Sequence, residues 1–376
     1  MTIEAEDVGP LLDEVERFAR SRLAAAVERP EIPMSGAMLS ALTGEARDLG
    51  LLAAGAEGGG FGLWAEVDGG PGMAVSLGAL RALARADAGT AFAWHRLALA
   101  GFATARLGLA GGEPLAATAT ITGHHGLGRA AFAGWLAGRR PSDEDRVFLA
   151  DWLDRTGHAA VVVAPADWTS LVWPVWSGEA VVWERVERAD LVVAPQPDQH
   201  GFDGLCGFTV RRVHPAAPPA GPVDGAAARR FAATAVKLDL LGLLAIGAGA
   251  LDHAASLARD YAHVRRQGGR LIADHPAVRL LLGEIDAARH GADLALATAI
   301  RPVDDLDLAA VVRSRLVTQE ALCRGANQAV QVFGGIGYMR DTGVEKILRD
   351  MNMLRLQSGG LGDARLFAAH LDGGRA

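Results

Sequence analysis

The twenty residues from Gln331 to Asp350, QVFGGIGYMRDTGVEKILRD, constrain this chain more than any other stretch. They close an apolar helix, pass through a Gly334-Gly335-x-Gly337-Tyr338 turn and resume a helical period at Val344, Ile347 and Leu348. A glycine pair between two helical runs serves where the backbone must take a positive φ or come close to something large and flat. As a bare GGxG the turn reads as a helix-loop-helix corner, and anything more specific depends on the residues around it.

Elsewhere the apolar period divides the chain into three parts. Helical spacing of Val8, Leu11, Leu12, Val15, Phe18, Ala19 and Leu23 predicts a helix over 7–28 that Pro30 ends. A second helix follows from about 36 to 49, and two more, joined at Asp87, over 79–108. Near 114 short runs rich in Val, Thr and Trp take over: LAATATITG, HAAVVVA, TSLVWPVW, EAVVWERV, DLVVAPQ and CGFTVRRV. These predict strands of a small sheet or barrel. Between the first two lies GRAAFAGWLAGRRPSDEDRVFLADWLDR, which reads as helical. After a Pro/Ala/Gly linker at 215–227 the helical period returns over 228–267, 274–299, 305–332 and 344–356. The expected fold is α+β, mainly α: an N-terminal helical domain (1–113), a middle β-domain (114–215) and a C-terminal four-helix bundle (228–376).

With 376 residues, half of them hydrophobic, the chain has material for two or three domains with sizeable cores. Thirty-seven basic against 44 acidic residues give a net charge of −7 with no basic stripe, which argues against a nucleic-acid partner. The acidic, amphipathic N-terminus has no positive n-region before an apolar core, and the apolar run at 238–251 is bounded by Lys237 and Asp252 and broken by Asp239. The expectation is a cytoplasmic protein with no membrane partner. Cys206 and Cys323, far apart, suit a reducing compartment and form neither a metal quartet nor a redox pair. His124 and His125 lack any i, i+4 or carboxylate pattern for a metal, so no metal site is expected.

The full string at 331–350 resembles the C-terminal signature of the acyl-CoA dehydrogenase family, Q-x-x-G-G-x-G-Y followed by a polar turn and P-V-E-x-x-x-R-D, with Gly343 in place of the proline. GLLAAGAEGGGFGLW and ALRALARADAGTAFAWHRLALAGFATARLG resemble the family's entry loop and its E-E-L-A-R-A-D-A-S helix. YAHVRRQGGRLIADHPAVR resembles Y-A-x-x-R-x-x-F-G-x-x-I-x-x-F-Q, with Gly268 for the phenylalanine and Ala277 for the glutamine. The likeness is strongest at 260–285 and 320–350 and weakest at 123–200.

What this resemblance implies is a flavoprotein. FAD lies between the β-domain and the bundle, a second subunit completes its site, and a carboxylate removes the proton next to a thioester carbonyl while a hydride passes to the flavin. Arg265 takes the place of the arginine that reaches the pyrophosphate of a neighbouring subunit, a role suited to a planar guanidinium fork. Gln331, Gly334 and Gly335 fit the second dinucleotide contact, and Thr122 stands at the end of the strand that touches the flavin. The base is the departure. Counting on from Arg349-Asp350, Ser358 falls where most members have the glutamate of E-G-T, and serine is no base at neutral pH. Members that relocate the base put it on the first long bundle helix, where the YAHVR register places Asp239 and an ALDH register places Ala235; the other reading of Asp239 is a structural acid or one half of a helix pair. A carboxylate among leucines needs a cavity, Lys237 or another partner. The implied substrate is an acyl thioester carried by coenzyme A or a carrier protein, with a flavin electron acceptor or oxygen as partner, in a homodimer or homotetramer. Two other readings stay open: a flavin monooxygenase of the same fold, favoured by the missing glutamate, and a non-catalytic structural subunit, favoured by the poorly matching middle region.

Overall fold

The computed structural model describes residues 3–52, 61–109, 127–154, 159–197, 199–214 and 223–372. In the N-terminal part, α1 (Val8–Phe18) runs through one π-helical turn (Ala19–Leu23) into α2 (Ala24–Ala26). α3 (Gly36–Asp48) starts on Ser35, whose hydroxyl accepts the Met38 N–H at 3.2 Å. α4 (Gly70–Ala86) and α5 (Ala88–Leu107) are separated by Asp87 alone: its extended backbone breaks the period and its carboxylate caps α5 by accepting the Thr90 N–H at 2.7 Å. α4 starts nine residues before its predicted start because Pro71 sits in the first turn, where its missing N–H costs nothing.

The middle part opens with two helices, α6 (Ala130–Leu136) and α7 (Asp143–Asp154), then five strands: β1 (Ala160–Ala164), β2 (Ser170–Trp176), β3 (Val181–Glu187), β4 (Leu191–Gln196) and β5 (Cys206–Arg212). β1, β5 and β4 form an antiparallel sheet in that order, and β2 pairs with β3 as a separate hairpin. Alternation sets the inward face, so Ala160, Val162 and Ala164 on β1 join Trp168, Trp173, Phe208 and Val210 in a small core of their own. The strand expected at 115–123 lies outside the described residues.

The C-terminal part is built on α8 (Gly225–Val264), a 40-residue helix capped by Asp224. By length and composition α8 could cross a membrane, but 89% of its apolar window is buried inside the fold. It packs against α4 and α5 on one side. On the other it meets α9 (Pro276–Thr298), α10 (Leu308–Phe333) and α11 (Val344–Leu356), after a two-residue hairpin of β6 (Arg266–Gln267) and β7 (Arg270–Leu271). A further helix, α12 (Gly360–Asp372), follows; the sequence pattern did not suggest it.

One buried cation ties the three parts together. Lys346 on α11 donates at 2.7 Å to Asp87, between α4 and α5, and at 2.7 Å to Asp350, whose other oxygen accepts the Phe202 N–H at 2.6 Å from the loop before β5. Burial alone pulls the Lys346 ammonium down, but the two carboxylates outweigh it and raise it above the usual lysine range. Lys346→Met leaves two carboxylates facing each other in the interior, so urea unfolding should show a loss of about 3–5 kcal/mol; a loss below about 1 kcal/mol contradicts this account of how the parts are joined.

Candidate active site

Asp239 and Ser358, 119 residues apart, meet at 2.6 Å, with the Ser358 hydroxyl donating to Oδ2 of the aspartate. Asp239 is fully buried on α8, and Ser358 sits in the tight turn between α11 and α12. The other partners come from α5. Arg96 donates one nitrogen to Oδ1 of Asp239 and the other to Ser358 Oγ at 3.2 Å, while His95 Nε2 lies 3.3 Å from Oδ1. Behind His95, the Trp64 indole lies 3.1 Å from Nδ1. An indole N–H only donates, so Nδ1 is the acceptor and the imidazole proton sits on Nε2, directed at the aspartate. Every hydrogen bond among these five residues therefore has a defined direction.

Local sequence explains why these groups reach one another. Gly242 lies on α8 one turn beyond Asp239, and a Cβ there would fall 2.2 Å from the His95 ring, so only glycine lets the imidazole lie against the helix. Ser358 has φ +60° and is followed by Gly359 at +85° and Gly360 at +71°, a left-handed run that ends α11 and turns the hydroxyl inward. Just before it, the fully buried Arg315 donates to the carbonyls of Leu354 (3.2 Å) and Gln357 (2.9 Å), and burial pulls its guanidinium down to about 10. The described non-glycine residues with left-handed backbone are Trp64, Phe202 and Ser358, and each belongs to a hydrogen-bonded network around a buried carboxylate. Strain of this kind persists where surrounding contacts over-determine the backbone.

Burial pulls the His95 imidazole below its usual range and keeps it neutral. Burial also pushes the Asp239 carboxyl up, but Arg96, His95 and Ser358 together outweigh that and hold it well below the usual carboxylate range. The partner considered from sequence, Lys237, points elsewhere and donates to the Val303 carbonyl at 3.0 Å. Arg96, His95 and Trp64 escaped the sequence reading. Their signal was the polar pair His95-Arg96 inside the otherwise apolar AFAWHRLALAGF.

The remaining predicted residues gather at the far end of the bundle. Arg265 caps the C-terminus of α8 with its side chain exposed, and Tyr261, one turn back, stacks on Phe333 at 4.4 Å between centroids. Phe333 is followed by Gly334 and Gly335, both exposed, and the Gln331 amide reaches the Tyr338 hydroxyl at 3.4 Å. Asp239 and Arg265 are 26 positions apart on one helix, about 39 Å at 1.5 Å per residue. Thr122 lies outside the described residues. A cleft of about 650 Å³ opens elsewhere, between α1, the α4–α5 junction, α8 and α11, and is not part of the Asp239 cluster.

Residues 230–361 match the family profile described as acyl-CoA dehydrogenase, C-terminal domain. Over that region the chain is 33% identical across 120 residues to an acyl-CoA dehydrogenase of Bacillus subtilis (strain 168), covering 31% of this chain and 30% of that protein. The chain thus matches less than a third of that relative's length. Over the whole chain the fold is shared with butyryl-CoA dehydrogenase from Megasphaera elsdenii (TM-score 0.68, 16% identity, 98% and 99% of the two chains). It is shared equally with PigA, solved with FAD and proline (TM-score 0.71, 15% identity, 99% of both chains).

The Asp239 cluster makes a stability prediction. A carboxylate held below its unfolded value stabilises the fold fully above about pH 4, the ordinary carboxylate range, and loses that contribution as pH falls. Arg96→Met strands the Asp239 charge in the interior and should cost about 3–5 kcal/mol in urea unfolding at neutral pH. The deficit should shrink on acidification as the stranded carboxyl takes a proton; a deficit that is the same at pH 7 and pH 4 refutes the pairing.

Proposed function

We propose that this chain is an FAD-dependent oxidoreductase that introduces a double bond next to the carbonyl of an acyl thioester carried by coenzyme A or a carrier protein. The observation that carries the reading is the meeting of Asp239 and Ser358: the two positions at which family resemblance allows a catalytic carboxylate form one site, and one of them is a carboxylate.

The residues that fit FAD are at the end of the bundle. Arg265 presents an exposed fork for phosphate oxygens, Gln331 adds an amide, and a Cβ built on Gly334 or Gly335 meets nothing within 4 Å, so the backbone there is open to a close approach. Bound FAD supplies the hydride acceptor. The span from Asp239 to Arg265 is longer than an extended dinucleotide, which supports a second copy of the chain providing the Arg265 end. Leu280, Leu294 and Val317 on α9 and α10 are 70%, 56% and 74% exposed, apolar side chains that such a copy would cover. Light scattering after size exclusion should give a dimer or tetramer; a monomer near 39.2 kDa contradicts the shared site.

In the packed site Asp239 has little affinity for a proton, because three donors favour its charged form. The same donors suit a thioester carbonyl. When Arg96 and Ser358 turn from Asp239 to that carbonyl oxygen, they polarise the thioester, acidify its α-carbon and release the carboxylate to act as base. His95, neutral and pinned by Trp64, holds Asp239 in place throughout.

Positioned general-base catalysis is worth roughly a hundred- to ten-thousand-fold. Asp239→Asn, which keeps the size and most hydrogen bonds, should lower thioester dehydrogenation by about that factor while the bound flavin spectrum stays the same. Unchanged turnover removes Asp239 from the role. Oxygenation of a substrate with supplied reduced flavin, and no desaturation of any thioester, favours the monooxygenase reading.

A further inference from the structure

The segment that matches the family pattern poorly, α6 with the residues just before it, fills the layer between the β2–β3 hairpin and the bundle. Residues Ala131 to Trp135 are all buried. Phe132 stacks on Phe367 of α12 (5.9 Å, 11°) and meets Trp152 of α7 edge-on at 5.4 Å. Trp135 meets Trp176 of β2 edge-on at 5.8 Å, and its indole donates to the Glu179 carbonyl in the β2–β3 turn at 3.2 Å. The helix thus grips the hairpin with one side and the bundle with the other. Immediately upstream, Leu127 and Gly128 press on the Ser358 turn: a Cβ on Gly359 lies 3.5 Å from that of Leu127, and one on Gly128 lies 3.2 Å from that of Leu366. Ser358 is left 3% exposed.

Two flat aromatic side chains, sandwiched between a β-surface and helices and abutting the Ser358 turn, form the kind of layer that a flavin ring needs for itself. We propose that α6 is a plug: Phe132 and Trp135 stand in for the flavin ring, so the chain folds with its cofactor layer self-filled and takes up FAD only when α6 swings out. This rests on the flavin reading above. α6 itself, AAFAGWL, carries no charge, and among the described contacts its indole bond to Glu179 is the polar tie that holds Trp135 to the hairpin. Releasing it means exposing two aromatic rings, which keeps the open state scarce, and apparent affinity for FAD falls by the fraction of molecules that are open.

The test is a reversible lock. Gly128→Cys with Leu366→Cys, in a Cys206→Ser background, puts two Cβ atoms 3.2 Å apart, about 0.6 Å closer than the usual disulfide separation of about 3.8 Å, a gap that a small backbone shift closes. Flavin-free protein is mixed with FAD, and uptake is followed by quenching of FAD fluorescence and by hydrogen exchange across 130–136. The oxidised lock should take up FAD about tenfold or more slowly than the same protein after reduction, and Trp135→Ala should take it up faster than the parent. Exchange at 130–136 should rise when FAD binds. Equal uptake by the oxidised and reduced lock overturns the plug and leaves the flavin reading standing. No uptake by any form, including Trp135→Ala, overturns the flavin reading and the plug with it.

Discussion

A single carboxylate inside a forty-residue apolar helix sets the terms for the rest of this molecule. Asp239 cannot be buried alone, because an unpaired charge in the interior costs several kcal/mol. The fold answers with a guanidinium from α5, an imidazole whose tautomer is fixed by Trp64, and a hydroxyl from the turn after α11. Each answer constrains something further: Gly242 gives His95 its room, Arg315 fixes the backbone ahead of Ser358, and Ser358 accepts a left-handed backbone.

The second buried network repeats the arrangement with the signs exchanged. Lys346 is a cation answered by Asp87 and Asp350, and one of those carboxylates receives a backbone N–H from the strained Phe202. The Asp239 network joins α5, α8 and the turn before α12, and the Lys346 network joins the α4–α5 junction, α11 and the loop before β5. Together they hold the N-terminal helices, the middle part and the bundle in one fixed relation through charge pairs shielded from water.

These networks bear on function through what they leave available. A site whose donors are all engaged with one carboxylate is closed, and chemistry there requires them to change partners. The closure is reinforced from the other side, where the aromatic side chains of α6 occupy the layer between hairpin and bundle and seal the Ser358 turn. The far end of the bundle is the opposite: Arg265, Gln331, Gly334 and Gly335 are exposed, with the Gln331 amide reaching the Tyr338 hydroxyl.

The sequence alone determined the periodic features. Helical spacing located α1, α5, α8, α10 and α11, alternation located β1 to β5, and the Gln331–Asp350 string together with YAHVR was specific enough to indicate the family and to put Asp239 and Ser358 forward as rival positions for one role. Those signals are local, so a linear reading captures them. What only the tertiary structure decided is which groups meet. That Asp239 and Ser358 are partners rather than alternatives, that Arg96 and not Lys237 pairs with the aspartate, that Asp350 shares a lysine with Asp87, and that α6 fills the layer beside the bundle depend mainly on contacts between residues far apart in the chain, most of them 100 or more positions. A buried charge imposes a demand for a partner that can be read from its place in an apolar run; the identity of the partner is set by how helices far apart in the chain pack, and no local pattern carries that.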